Sequence, residues 1–172
     1  MTGFQKHLSR LAAISLILLL PASPADLVDR AKLYAYDLFL RHLNQTQTVA
    51  LPSARIASRL HFRDDYDFPD TTIDALIRTS GAYVAAVSAI DTQASTIIGL
   101  AKAQYRTVGA AKGAKVPPPP SELRALQSQK EDVIRSAISS LETTLGPAQV
   151  AYITSQLMSH ITLQKAAAKA AQ

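Results

Sequence analysis

The stretch from Thr71 to Lys112, TTIDALIRTSGAYVAAVSAIDTQASTIIGLAKAQYRTVGAAK, decides the fold. Ile73, Leu76, Ile77, Ser80, Val84, Val87, Ala94, Ile97, Ile98, Ala101, Tyr105 and Val108 recur in it at three- and four-residue intervals. That spacing sets apolar side chains along one side of an α-helix. No proline interrupts the run before Pro117. A straight helix of 42 residues would be about 63 Å long. Gly81 and Gly99 are places where it can bend or admit a close neighbour. The small residues Ser80, Gly81, Ala82, Ala85, Ala86, Ser88 and Ala89 predict close helix packing, so this segment is expected inside a bundle.

The pattern on either side is also helical. From Asp26 to Asn44, Leu27, Ala31, Tyr34, Leu38 and His42 share one side, and Leu33, Tyr36, Leu40 and Leu43 widen it. Pro52 opens a short helix over Ser53 to Phe62, with Ile56 and Leu60 expected to point inward. His61 to Asp70 then breaks regular structure, and Asp70 has the chemistry of an N-cap for the long helix. Gly109, Gly113 and the prolines 117–120 make a stiff connection, with the linker placed at 113–120. Ser121 is expected to cap a helix carrying Leu123, Leu126, Val133, Ile134, Ala137, Ile138, Leu141 and Leu145. Gly146-Pro147 ends that helix and starts the last one, which carries Val150, Ile153, Leu157 and Ile161. The Ala/Lys-rich tail, 165–172, is expected to fray. No strand alternation and no fixed repeat is present. The expectation is an all-α protein: an antiparallel helical bundle or elongated helical hairpin, four main helices and one short one, with the long helix as its spine.

The first 25 residues read differently. Lys6 and Arg10 precede the apolar run Leu11 to Ala22, and Pro21-Ala22-Ser23-Pro24-Ala25 supplies a breaker and small residues. This is the pattern of a secretory signal peptide, with cleavage fitting best after Ala25. An uncleaved anchor is the alternative, although a spanning helix needs about 20 apolar residues, more than this run contains. No later segment is read as long and apolar enough to cross a membrane. The expected location is periplasmic or extracellular, by bacterial export, with a single helical domain over 26–164. Membrane contact is then limited to the signal before cleavage.

Composition narrows the function classes. With no cysteine, disulfides, thiolate metal sites and covalent haem attachment are excluded. The chain carries a formal charge of +5, but removal of Lys6 and Arg10 leaves 16 basic against 13 acidic residues. A charge of +3 is ordinary and gives no nucleic-acid footprint. The histidines His42, His61 and His160 lack metal-ligand spacing, although His42 and His160 could meet across a bundle to hold haem or a metal. Asp64, Asp65, Asp67 and Asp70 resemble a calcium loop only in charge, because Asp70 and Leu76 stand where an EF-hand needs Gly and Glu. Asn44-Gln45-Thr46 fits the N-glycosylation pattern, which has meaning only in eukaryotic secretion. Nucleophile-elbow, phosphate-loop and dinucleotide motifs are absent, as is Glu-x-x-His. No cofactor is expected, and a non-enzymatic binding or structural role is favoured over catalysis.

Leu123-Arg124-Ala125-Leu126-Gln127-Ser128-Gln129-Lys130 and Leu145-Gly146-Pro147-Ala148-Gln149, following the proline run, resemble small exported bacterial helical proteins of unassigned function. Leu145 and Gln149 are also similar to the Leu-Thr-x-x-Gln motif of Spy-like periplasmic chaperones. Gly146 stands where that motif has threonine, and one copy is visible where those proteins usually carry two. The resemblance implies a helical cradle that holds unfolded or envelope proteins against a basic, partly apolar surface, and it is compatible with a homodimer. Arg55, Arg59, Arg63 and Arg78 would supply the basic groups of such a protein-binding surface. The alternative is that these arginines solvate helix exteriors. A metal- or small-ligand-binding bundle using the histidines is the second functional expectation.

Overall fold

The computed structural model describes residues 24–48, 51–108 and 118–170, and every element in them is a helix. We number them α1 (Pro24–Thr48), α2 (Pro52–Tyr66), α3 (Asp70–Val108), α4 (Ser121–Leu145) and α5 (Pro147–Ala170). Nearly all of the signal segment, residues 109–117 with most of the linker, and the side chain of His160 lie outside the described residues. The all-α bundle with one long central helix is as the periodicity requires. α3 and α4 lie along one another most extensively, and α1 packs against all four other helices.

One contiguous core holds the bundle. Tyr36, Leu40, Leu43, Ile73, Leu76, Tyr83, Val87, Leu141, Val150 and Ile153 are almost completely removed from water. Their burial is the main favourable term in the fold, since this cysteine-free chain has no cross-links. Tyr36 keeps its hydroxyl satisfied 2.9 Å from Thr154 Oγ1 on α5. Burial raises the proton affinity of that phenol, against the opposing hydrogen bond from Thr154.

Several expectations are corrected. On α1 the buried positions are Leu33, Tyr36, Leu40 and Leu43, whereas Leu27, Tyr34 and His42 are exposed. At 100° per residue these two sets lie about 180° apart on the helix. Both have helical spacing, but the neighbours of α1 lie on one side. α2 runs on to Tyr66, so the irregular segment shrinks to Asp67–Pro69. That extension brings Phe62 to the inner side and leaves Ile56 and Leu60 outside, at 60% and 41% exposure. Asp67 ends α2 in the left-handed conformation at φ 51°, and the Phe68 amide closes back on the Phe62 carbonyl at 3.3 Å.

Asp70 and Ser121 are not caps. The Pro69 carbonyl accepts from the Thr72 and Ile73 amides at 2.9 and 3.1 Å, which places Asp70 inside the first turn of α3. The Pro120 carbonyl likewise accepts from Leu123 at 3.1 Å, and the Ser121 hydroxyl bonds Glu122 instead. Gly146, at φ 84°, terminates α4 as expected, and Pro147 opens α5. The small residues of α3 also differ from expectation. Ser80 is buried, but Ala82, Ala85, Ala86, Ser88 and Ala89 face solvent. No described residue of α3 beyond Val87 is fully buried, because the helix outruns the core and α4 covers only one of its sides.

Candidate functional site

Asp37 belongs to the buried arc of α1, between Tyr36 and Leu40, and burying its charge would be costly without partners. It has several. Lys130 of α4 pairs with Oδ2 at 2.7 Å. The Tyr83 hydroxyl of α3 donates to Oδ1 at 2.6 Å, and Arg41 Nε, one turn along α1, pairs with the same oxygen. Arg41 also reaches Asp91 of α3 at 2.7 Å and lies over the Tyr83 ring, 5.8 Å from its centroid. Two acids and two bases thus balance one another across α1, α3 and α4. Arg41 Nη2 is buried without a partner, as is Gln47 Nε2.

The electrostatics fix these protonation states. Burial alone would raise the Asp37 carboxyl, but Lys130, the Tyr83 hydrogen bond and Arg41 outweigh it and hold the group below the usual carboxylate range. Burial and the neighbouring carboxylate push the Tyr83 phenol well above its ordinary value. Burial opposes the Arg41 charge, yet Asp91 and Asp37 more than compensate. Asp37 is therefore ionised with both oxygens occupied, and Tyr83 stays protonated. Neither is poised to exchange a proton near neutrality. The cluster ties three helices in register.

Beside it, Arg41, Val84, Ser88, Asp91, Thr92 and Thr96 line a shallow cleft of about 550 Å³. Thr92 and Thr96 donate their hydroxyl protons to the carbonyls of Ser88 and Thr92, at 2.9 and 3.0 Å. The cleft wall is thus mostly satisfied helix surface.

The arginines singled out in the sequence divide. Arg55, Arg59 and Arg63 lie on consecutive turns of α2, and Arg78 lies on α3. Arg59 bonds Asp74 at 2.8 Å and approaches Asp70 at 3.7 Å, so much of its charge is answered within the fold. Arg63 lies 3.8 Å from Asp64. Arg55, Arg63 and Arg78 are exposed. His42 and His61 are exposed on different helices; desolvation lowers the His42 imidazole, and His61 meets the Tyr66 ring edge-on at 5.4 Å. Among the described residues no group of three His, Asp or Glu side chains can hold a metal ion.

The outer side of α3 departs from the expectation that this helix lies inside the bundle. Between Arg78 and Lys102 the helix carries one charged residue, Asp91, and it is ion-paired with Arg41. The rest of its exposed side is Ala82, Ala85, Ala89, Thr96 and Leu100 with their small neighbours, and Leu100 is 62% exposed. Residues 70–104 contain an 18-residue window of mean hydropathy 1.4, only 6% of which is buried. This corrects the expectation that no later segment is long and apolar enough to cross a membrane. Protein-family models, curated proteins and solved structures all lack a match to this chain.

Proposed function

We propose that this chain is an exported, non-enzymatic helical protein that binds another protein through the uncharged outer side of α3. The observation that carries the reading is the set of exposed positions between Ala82 and Leu100, which are uncharged and, apart from Gln93 and Leu100, small, and are bounded by Arg78 and Lys102. Leu100, 62% exposed, is its large apolar group, and exposed apolar surface clustered in one place is a mark of contact sites. Membrane crossing is the competing use of such a helix. α4 argues against it, because it lies along α3 and carries Lys130, Glu131, Asp132 and Arg135, charges that hydrocarbon would strand.

The sharpest form of the reading is chaperone-like. Alanine and threonine side chains let a client chain approach closely without demanding one side-chain shape, which suits unfolded or envelope proteins. Arg78, exposed at the start of the run, and Arg55 and Arg63 on α2 add positive charge that favours acidic client segments. The signal-like residues 1–25 support a site of action beyond the cytoplasmic membrane. The test is aggregation of a chemically unfolded client followed by light scattering. Suppression at micromolar protein is expected, and its absence at stoichiometric excess contradicts the chaperone form.

A further inference from the structure

α1 carries two apolar stripes, and the described fold takes one of them into its core. Leu33, Tyr36, Leu40 and Leu43 are buried there. On the opposite side Leu27, Ala31, Tyr34 and Leu38 follow one another at steps of four, three and four residues. That is the spacing of a seam between two packed helices. Leu27 and Tyr34 are 58% and 38% exposed, while Ala31 and Leu38 are half-buried. Val28, at the edge of the stripe, is 64% exposed. Large apolar groups gathered this closely on a surface mark a contact site.

The order of sizes along the stripe selects its partner. Steps of four, three and four read the same from either end, with leucine at both ends. An antiparallel copy of α1 therefore meets the stripe position for position. Leu27 faces the partner's Leu38, and the small Ala31 faces the large Tyr34 of the partner subunit. A parallel copy would set tyrosine against tyrosine and alanine against alanine, crowding one layer and leaving a gap in the next. We propose that a second copy of this chain packs antiparallel on the outer stripe of α1, about a two-fold axis level with Lys32 and Leu33. Four side chains from each copy make a small contact, so the association is weak and depends on concentration. The proposal is independent of the role assigned to the outer side of α3, which lies on another helix.

The chain has no cysteine, so single cysteines report the pairing. Full-length Leu27→Cys and Leu38→Cys are prepared separately, mixed in equal amounts and oxidised. The mixed disulfide between positions 27 and 38 should dominate. Antiparallel packing brings those two together but holds position 27 about 16 Å along the axis from position 27 of the other copy. A disulfide bridges Cα atoms no more than about 7 Å apart. Tyr34→Glu in both proteins should cut the mixed product at least about tenfold, the loss expected from about 1.4 kcal/mol of weakened contact. Leu27→Cys linking to itself as readily as to Leu38→Cys overturns the proposal, whether parallel pairing or contact through residues 1–25 is the cause. Sedimentation of the wild type decides even where a cysteine variant fails to fold. It should show monomer and dimer exchanging with concentration, and Tyr34→Glu should shift the balance to monomer. A wild type that stays monomeric up to about 1 mM overturns the proposal equally. Neither readout involves client capture, so failure of the role given to α3 leaves this result intact.

Discussion

The Tyr83 hydroxyl donates a 2.6 Å hydrogen bond to the Asp37 carboxylate, joining α3 to α1 across 46 positions of sequence. Lys130 completes the link to α4 on the other carboxylate oxygen. Removing one member of such a cluster leaves its partners buried and uncompensated, which typically costs more than the intact cluster contributes. Asp37→Ala should therefore lose about 3–5 kcal/mol in urea denaturation. Tyr83→Phe, which removes one donor to the buried carboxylate, should lose about 1.5–3 kcal/mol. Asp37→Leu combined with Lys130→Met should recover much of the loss, since both charges leave together. A double variant as unstable as the sum of the singles would show that the two residues are not coupled.

Acid should weaken the fold through the same carboxylate. The folded-state value of Asp37 is held below its ordinary 3.8, so the unfolded chain takes up the proton first as pH falls. The contribution is complete above 3.8 and is lost as pH drops from there through the lower folded value. His42 acts earlier and in the same sense. Its imidazole is lowered from 6.5 by desolvation, so protonation disfavours the folded state as pH falls through that range. Denaturation midpoints across pH 3 to 8 should show both slopes, and Asp37→Asn should flatten the more acidic one.

Two glycines should respond oppositely to alanine. Gly146 has φ 84° and ψ 155°, a conformation essentially confined to glycine, so Gly146→Ala should cost about 1–3 kcal/mol although a methyl group would meet no neighbour. Gly99 lies within α3, where an added methyl group also meets nothing within 4 Å. Gly99→Ala should stabilise by up to about 1 kcal/mol. Thermal denaturation of the two variants distinguishes backbone strain from packing.

The inner and outer apolar residues should separate cleanly. Leu141→Ala removes a fully buried side chain and should cost about 2–5 kcal/mol. Ile56→Ala, on the exposed side of α2, should fall within about 0.5 kcal/mol of wild type. Equal losses in chemical denaturation would contradict the orientation of α2.

The helices themselves were legible because their apolar residues keep a 3.6-residue period and because Gly146-Pro147 punctuates the chain. Orientation was less so. On α1, Leu27-Tyr34-His42 and Leu33-Tyr36-Leu40 are both good stripes, and only the positions of neighbouring helices choose between them. The end of α2 is hidden in sequence because Asp64 and Asp65 look like a loop, while Phe62, Tyr66 and Phe68 gain more by packing. The ionic cluster gave one faint signal, an aspartate within the buried arc of α1. Asp37 and Arg41 alone resemble an ordinary one-turn surface pair, and Tyr83 and Lys130 enter only through the tertiary fold. The alanines of α3 suit close packing, so in sequence its outer side is indistinguishable from an interior one. No local pattern records that the helix is longer than the core it serves.

The role of that outer side is tested most directly by placing charge on it. Ala85→Glu and Ala89→Glu together put two carboxylates at exposed helix positions, where glutamate is well tolerated and stability should change little. Crosslinking of wild type and variant to a chemically unfolded client should show capture by wild type and a loss of at least about tenfold in the variant, the loss expected from about 1.4 kcal/mol of weakened contact. Equal capture by two equally stable proteins, or none by either, would contradict a binding role for α3.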